Sequence, residues 1–230
     1  MKTAIMQPYF FPYIGYWQLI NAVDCFVIYD DVNFIKKGWI NRNNILFDEQ
    51  KKLITLPLIK VSQNKYINET FIAPNSKQSV LNCIESAYKK APLYNQVIPL
   101  INEIILYEED DLTKYLGENI QKISQYLNIN VKFMYSSKID KDNSLHGEDK
   151  IIEICKQTKT KTYINPIGGL SLYNKSNFES KNINLKFIQT KDICYKQFNN
   201  DFVPNLSIID IMMFNTPEKI KEMLNNYELL

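Results

Sequence analysis

The sequence contains a single histidine, His146, and four cysteines, Cys25, Cys83, Cys155 and Cys194, of which no two form a C-x-x-C pair. The spacings that structural zinc sites require are therefore absent, and we predict no structural zinc site. Cys25 lies in an apolar run, and Cys83 and Cys155 lie in helical patterns. This placement is typical of buried, reduced thiols and favours a cytoplasmic location.

Neither sign of charge dominates, since 27 basic residues are balanced by 25 acidic ones and leave a formal net charge of +2. This balance provides no bulk electrostatic attraction for nucleic acid, so we predict no nucleic-acid partner. The sequence also has no apolar run of the roughly 18 residues that a membrane span needs, and its first residues lack the apolar segment of a signal peptide. We therefore expect neither a membrane span nor export.

The chain shows no internal repeat and no low-complexity linker, and its 230 residues are 45% hydrophobic. A chain of this length and composition can bury a substantial core. Strand-like and helix-like segments alternate along it, which is typical of an α/β protein. We predict one α/β domain over residues 1–230, with an open, mostly parallel sheet, flanking helices and a helical insertion at about residues 76–127.

The spacing of apolar residues places the individual elements. Strands are predicted at residues 4–6, 25–29, 53–59, 131–135, 162–164 and 184–189. The insertion holds three helices with one apolar stripe each, and a further helix follows at residues 151–158. A short helix contains Tyr173, and a last helix begins at Ser207, whose hydroxyl can cap it. Pro57 is expected at the edge or the end of its strand.

The most informative stretch lies within residues 1–45. The strand at residues 4–6 leads into a turn rich in proline and aromatic side chains, and a helix opens near Gly15. The next strand ends on Asp30 and Asp31. Because the carboxyl ends of parallel strands share one edge of a sheet, we expect Gln7 and these carboxylates to meet there. We place the candidate site at that edge.

Several residues with charged or amide side chains lie at the end of the strand at residues 25–29 or shortly after it in the sequence. Adjacent residues of a strand point to opposite faces, so we assign Asp30 to the ligand, as a general base, a metal ligand or a hydroxyl partner. The alternative is that both aspartates cap a turn. Lys37 and Arg42 can clamp a phosphate or a phosphorylated sugar, and exposed surface charge is the alternative. Asn41 and Asn43 flank Arg42, and their carboxamides can bind sugar hydroxyls or a base edge.

Aromatic side chains and a histidine extend the candidate set. Gln7 can form the same hydrogen bonds as the asparagines, while Tyr9 and Tyr16 offer rings on which a base or a sugar can stack. Packing in the core is the alternative for each ring. His146 is a candidate acid or base because imidazole titrates near neutral pH, and a surface histidine without a role is the alternative.

A second polar turn follows the strand at residues 162–164. Asn165 and Gly168 lie between this strand and the short helix that contains Tyr173, a place where backbone amides can meet an anion. We include these three residues among the candidate binding residues. The glycine pair lacks the spacing of a Walker A or dinucleotide-binding motif.

These motifs resemble those of the WbqC-like protein family, and the resemblance spans nearly the whole chain. The matching stretches are Gln7-Pro8-Tyr9-Phe10-Phe11-Pro12-Tyr13-Ile14-Gly15-Tyr16, Phe26-Val27-Ile28-Tyr29-Asp30-Asp31-Val32, Trp39-Ile40-Asn41-Arg42-Asn43, Tyr88-Lys89-Lys90-Ala91-Pro92 and Leu206-Ser207-Ile208-Ile209-Asp210. The chain departs from the family after Asn165, where Gly168-Gly169-Leu170-Ser171 replaces a small-residue turn followed by alanine.

The family is associated with bacterial surface-polysaccharide gene clusters. The resemblance therefore implies a transferase that modifies a nucleotide-linked amino sugar, by N-acylation or aminoacylation, during the biosynthesis of O-antigen, capsule or lipopolysaccharide. It implies a sugar nucleotide as the small-molecule partner and an acyl or aminoacyl donor rather than a bound cofactor, and it is compatible with a homo-oligomer. In this interpretation Asp30 or His146 accepts the proton of the attacking amine.

Two alternatives stay open. The segment Pro12-Tyr13-Ile14-Gly15-Tyr16 is similar, to a lesser degree, to the opening of histidine-containing nucleotidyltransferases, which implies a nucleoside triphosphate and Mg²⁺. Tyr13 and Tyr16 stand where those enzymes have histidines. The other alternative is a non-catalytic protein that binds a sugar nucleotide and presents it to a glycosyltransferase.

Overall fold

The computed structural model describes residues 1–198 and 201–230. In chain order the helices and strands are β1 (Lys2–Met6), α1 (Ile14–Asn21), β2 (Cys25–Ile28), β3 (Arg42–Phe47), β4 (Gln50–Thr55), β5 (Leu58–Ile59), β6 (Phe71–Ile72), α2 (Lys77–Tyr88), α3 (Tyr94–Ile105), α4 (Leu112–Tyr126), β7 (Lys132–Tyr135), α5 (Gly147–Gln157), β8 (Thr162–Pro166), α6 (Lys175–Glu179), β9 (Asn184–Thr190), α7 (Ile208–Phe214), α8 (Pro217–Leu224) and β10 (Tyr227–Leu229). Short 3₁₀ helices add Ile67–Glu69, Ser136–Lys138 and Ile167–Leu172.

The central sheet has six strands in the order β10-β9-β8-β1-β2-β7. Every neighbouring pair is parallel except β9 and β10. This arrangement confirms the predicted α/β class with a mostly parallel sheet. The strand order reverses at β1, because the chain continues from β1 to β2 on one side and later adds β8 on the other. In sheets of this kind a ligand crevice opens outside the carboxyl ends of the strands at the reversal.

Alternate residues of β2 pack into two different cores. Phe26 and Ile28 belong to the larger core, which includes residues of α1, the three insertion helices, α7 and α8. Cys25 and Val27 belong to the smaller core, which includes residues of α5 and β9. Both faces of the strand are therefore covered, which explains why it reads in the sequence as a continuous apolar run.

The four short strands β3 to β6 differ from the prediction for the first half of the chain. The apolar run at residues 53–59 is not one strand, since β4 ends at Thr55 and Pro57 separates it from β5. Proline cannot donate a backbone hydrogen bond, which interrupts the run. β4 pairs with β3 and β5 pairs with β6, each as an antiparallel two-stranded sheet outside the central one.

The second half of the chain also contains elements that the sequence analysis missed. Ser207 caps α7 as predicted, since its Oγ accepts a hydrogen bond of 3.2 Å from the Ile209 amide. However, α7 is not the last helix, because Thr216 caps α8. Tyr173 follows the 3₁₀ helix rather than lying inside a helix. The antiparallel edge strand β10 was not predicted, since a three-residue strand has little periodicity.

No helix within the described residues is long and apolar enough to cross a membrane. The helices α2, α3 and α4 occupy the residues predicted as a helical insertion, and each contributes its apolar stripe to the larger core.

Gly117 of α4 provides a test of how this insertion packs against the sheet. The hydroxyl of Tyr135, at the end of β7, approaches Gly117 so closely that a Cβ atom would overlap it. We expect Gly117→Ala to lower the free energy of unfolding by about 1–3 kcal/mol, measured by urea unfolding. Gly168→Ala is the control, because a Cβ there meets no atom within 4 Å. Equal stability of the two variants would show that Tyr135 can turn away at no cost.

Candidate functional site

A cavity of about 610 Å³ opens beside the carboxyl ends of β8 and β9 and the first turn of α1. The term cavity refers to this space throughout. Apolar side chains such as Ile188 and Phe202 form part of its wall. Its remaining wall carries groups that can form hydrogen bonds or ion pairs: Tyr13, Gln189, Thr190, Lys191, Asp192, Tyr195 and Asn205. This mixture suits a ligand with both polar and apolar surface.

A second pocket of about 350 Å³ adjoins the cavity. We call it the aromatic pocket, and its lining consists of Tyr9, Pro12, Tyr13, Trp39, Asn43 and Asn205. None of these side chains carries a charge at neutral pH. Tyr13 and Asn205 line both spaces. The cavity and the aromatic pocket therefore share part of their walls, and we refer to the two neighbouring compartments together as the crevice.

Gly15 allows the first turn of α1 to reach this crevice. A Cβ at Gly15 would lie 2.7 Å from Thr190 Oγ1 and 2.5 Å from Cε2 of the Tyr13 ring. Only glycine permits this approach without displacing one of them. The predicted start of a helix near Gly15 is confirmed, and the helix begins at the cavity wall. The first amides of a helix lack intrahelical acceptors, so they are suited to an anionic ligand.

The turn between β1 and α1 is held in a strained conformation. Phe11 has a φ of 44°, a left-handed value that is unusual for a bulky residue. Its carbonyl oxygen accepts hydrogen bonds from Asn43 Nδ2 (2.7 Å) and Ser207 Oγ (2.8 Å). The Pro12 carbonyl accepts one from Trp17 Nε1 (2.9 Å). Side chains of α1, β3 and the residue that caps α7 therefore fix the turn that forms a wall of the aromatic pocket. Strained backbone persists where the surrounding structure holds it in this way.

The polar residues of the segment after Asp31 mainly bind the backbone. Arg42 Nε donates to the Gly38 carbonyl (2.9 Å), and its Nη2 donates to the Lys37 carbonyl. Asn41 Nδ2 donates to the Leu56 carbonyl (2.8 Å). Asn43 lines the aromatic pocket, but its Nδ2 already donates hydrogen bonds to the carbonyl oxygens of Phe10 and Phe11. Lys37 is exposed on this loop. The structure thus gives Arg42, Asn41 and Asn43 contacts that organise the loop, while a ligand role for each remains a prediction.

Asp30 and Asp31 follow the carboxyl end of β2, beside that of β1, and they have different partners. Asp30 is 2% exposed and accepts hydrogen bonds from the Ser137 amide (2.9 Å) and hydroxyl (2.6 Å). Burial raises the pKa of Asp30, and the Ser137 hydrogen bonds only partly oppose this. Asp31 pairs with the buried ammonium groups of Lys141 (2.8 Å) and Lys150 (3.2 Å). Burial alone would raise the pKa of Asp31, but these groups outweigh it and lower the pKa.

The remaining candidates, Tyr9, Tyr16 and His146, lie in different parts of the structure. Tyr9 lines the aromatic pocket. Tyr16 is 2% exposed, and its hydroxyl donates to the Gln7 carbonyl (3.0 Å), so a ligand could stack on it only if the ring left the core. His146 is exposed and precedes α5. No hydrogen bond joins His146 to Asp30 in the part of the chain that the structure describes, and the cavity lining includes neither of them.

In the turn after β8, Gly168 lines the cavity. Asn165 points its carboxamide across Gly169 and accepts a hydrogen bond of 3.1 Å from the Tyr163 hydroxyl. The Tyr173 ring packs edge-on against Tyr163, with ring centroids 5.8 Å apart. These contacts give Asn165 and Tyr173 a part in shaping the turn that carries Gly168.

The sequence analysis missed several residues of the crevice. Gln189, Thr190, Lys191 and Asp192 line the cavity because the carboxyl end of β9 and the residues after it lie beside the first turn of α1. No motif marked them, although their place at a strand end was a usable signal.

Tyr195 was also missed, and it connects the cavity to a buried carboxylate. Its hydroxyl donates to Asp210 (2.6 Å), which also accepts from Tyr88 (2.8 Å) and Gln197 (2.7 Å). Burial raises the pKa of Asp210, and these hydrogen bonds oppose the shift. Tyr88 and Asp210 lie in two of the motifs named above, so the motifs mark a buried network behind the cavity wall.

Within residues 1–198 and 201–230, no three His, Cys, Asp or Glu side chains converge as a potential metal site. The four cysteines are free thiols; Cys25 and Cys155 are buried, Cys83 is half-buried and Cys194 is exposed.

Comparisons with known proteins identify the family. The model of the WbqC-like protein family matches residues 7–222. The chain is 26% identical over 227 residues to a protein of Mycobacterium tuberculosis named "Uncharacterized protein Rv1507c", and the match covers 97% of each chain. No solved structure matches the chain. Because the family model covers most of the sequence, the chain belongs to the WbqC-like protein family.

Proposed function

We propose that this protein is a cytoplasmic transferase that acylates or aminoacylates the amine of a nucleotide-linked sugar in the biosynthesis of a bacterial surface glycan. The observation that carries the proposal is the two-compartment crevice at the strand reversal. A sugar nucleotide has a charged diphosphate and a polar sugar next to a flat, uncharged base. The crevice has a polar cavity with Lys191 and the first turn of α1 in its wall, next to an uncharged aromatic pocket.

The cavity would hold the diphosphate and the amino sugar. Lys191 and the first amides of α1 supply positive charge for the diphosphate. The carboxamides of Gln189 and Asn205 and the Thr190 hydroxyl can donate to and accept from sugar hydroxyls. Membership of the WbqC-like family supports this substrate class, since the family is associated with surface-polysaccharide gene clusters.

The proposed chemistry is the formation of one amide bond. The lone pair of the sugar amine attacks the carbonyl carbon of an activated acyl donor, such as a thioester or an aminoacyl ester. The bond from this carbon to the leaving group breaks, and the leaving group retains the electron pair. The amine loses one proton, which a carboxylate or an imidazole accepts. Asp192 is the carboxylate in the cavity wall, and Asp30 and His146 are the acceptors that the sequence suggested.

The first experiment is a thermal-shift screen of the purified protein. The panel contains uridine- and thymidine-diphosphate amino sugars, nucleoside triphosphates with Mg²⁺, and acyl-coenzyme A species. A ligand at about 100 times its Kd should stabilise the fold by about 2.7 kcal/mol. We expect a shift with the amino-sugar nucleotides. A shift confined to nucleoside triphosphate with Mg²⁺ would overturn the proposal in favour of a nucleotidyltransferase.

Three substitutions separate the proton acceptors once an amino-sugar nucleotide turns over. We expect Asp192→Asn to lower kcat by about 10²–10⁴-fold, because a positioned base contributes about this much to the rate. Asp30→Asn and His146→Ala are measured beside it. Full activity of Asp192→Asn with loss of activity in Asp30→Asn or His146→Ala would move the base out of the cavity wall.

A further inference from the structure

The two tryptophans of the chain have opposite environments. Trp17 is 0% exposed and its indole N–H donates a hydrogen bond to the Pro12 carbonyl, whereas Trp39 is 43% exposed. The backbone at Trp39 is nevertheless anchored, because its carbonyl oxygen accepts a hydrogen bond of 3.1 Å from the Phe10 amide. A large apolar ring is therefore held at the surface by a fixed backbone, and it lines the aromatic pocket.

Tyr13 shares these properties. Tyr13 is 40% exposed, lines the aromatic pocket together with Trp39, and also borders the cavity. The turn that carries Tyr13 is fixed by the hydrogen bonds from Asn43, Ser207 and Trp17 described above. Exposed rings on fixed backbone lose little conformational freedom when a ligand stacks on them, which favours binding.

The charges of the two compartments set the orientation of a nucleotide. The aromatic pocket is lined only by neutral side chains, whereas the charged side chains, Lys191 and Asp192, and the start of α1 all lie in the cavity wall. A flat, uncharged base therefore fits the aromatic pocket, and a diphosphate fits the cavity. Asn205 borders both compartments, and its carboxamide can donate to and accept from the polar edge of a base.

We propose that the aromatic pocket is the nucleobase subsite of the crevice, in which the base stacks on Trp39 and Tyr13 and its phosphates extend past Asn205 into the cavity. This assignment rests on the proposed function for the identity of the ligand as a nucleotide. It replaces Tyr16 by Tyr13 and Trp39 as the stacking surface, because the Tyr16 ring is packed in the core.

The test is a titration of the wild-type protein with uridine diphosphate and thymidine diphosphate, followed by tryptophan fluorescence and isothermal titration calorimetry. Since Trp17 is buried and Trp39 is exposed, stacking should quench the Trp39 emission saturably. Trp39→Leu should abolish this quenching and raise Kd about 10–100-fold, because one base–aromatic stack contributes about this much to affinity. Trp39→Phe keeps a ring and should recover part of the affinity.

Tyr107→Leu is the matched control, since Tyr107 is an exposed aromatic residue that lines neither compartment. We expect its Kd to equal that of the wild type. Equal Kd values for the wild type and Trp39→Leu would overturn the base subsite while leaving nucleotide binding intact. Binding of glucosamine 1-phosphate without binding of either nucleoside diphosphate would also overturn it. If the wild type bound none of these ligands, the proposed function would fail together with the subsite.

Discussion

Asp31→Asn is expected to lower the free energy of unfolding by about 3–5 kcal/mol, because it leaves the buried ammonium groups of Lys141 and Lys150 without their shared carboxylate. Lys150 also donates to the Asp31 carbonyl (2.7 Å), so the pair ties α5 to the end of β2. Urea unfolding at neutral pH measures the effect. Asp48→Asn is the control, since Asp48 is exposed and Asn tolerates its positive φ of 45°.

The pH dependence of this difference is a sharper check. The pKa of Asp31 is lower in the folded protein than its usual value of 3.8. Its contribution to stability is therefore fully present above the unfolded pKa and is lost as the pH falls through the folded pKa. The gap between wild type and Asp31→Asn should shrink at acid pH below about 4. A gap that stayed constant to pH 2 would show that the carboxylate charge is not the source of the effect.

Gly168→Trp is expected to weaken binding of an amino-sugar nucleotide by at least about 100-fold without unfolding the protein. Gly168 lines the cavity, and a Cβ there meets no atom within 4 Å, so the cavity wall has room for a large side chain at this position. An indole that enters the cavity removes space for the sugar and the diphosphate. Isothermal titration calorimetry measures the affinity, and thermal unfolding checks the fold.

Leu172→Trp is the matched control for this substitution. Leu172 lies on the same 3₁₀ helix as Gly168, is exposed and does not line the cavity. We expect this variant to bind like the wild type. Wild-type affinity in Gly168→Trp would show that the ligand binds elsewhere, and equal losses in both variants would show that the 3₁₀ helix is sensitive to any bulky residue.

The elements with clear apolar periodicity were predictable from the sequence. The strands β1 and β2, the helix at Gly15 and the insertion helices all follow their patterns, and strand–helix alternation was sufficient for the parallel sheet. The small sheets around Pro57 and the edge strand β10 were missed. Short strands have too few residues for a periodicity, and their pairing depends on distant segments.

The sequence analysis placed the candidate site at the carboxyl edge of the parallel strands, and the cavity opens at that edge, but neither Gln7 nor Asp30 lines it. Seven residues between 188 and 195 line the cavity, and no motif marked them. The partners of Asp31 and Asp210 lie far along the chain, so their ion pairs and hydrogen bonds cannot be read from local spacing. Asn43 was recognisable in the sequence as part of an unusual motif, but its structural role was not. Its side chain donates hydrogen bonds to the carbonyls of Phe10 and Phe11 and so holds the strained turn.

The most direct test of the transferase is a mass measurement of an amino-sugar nucleotide after incubation with the protein and an acyl or aminoacyl donor. The account predicts that the sugar nucleotide gains the mass of the acyl group less one hydrogen, and that Gly168→Trp lacks this activity while Leu172→Trp retains it. A sugar nucleotide that binds in the crevice but keeps its mass with every donor would contradict a transferase and identify a binding protein.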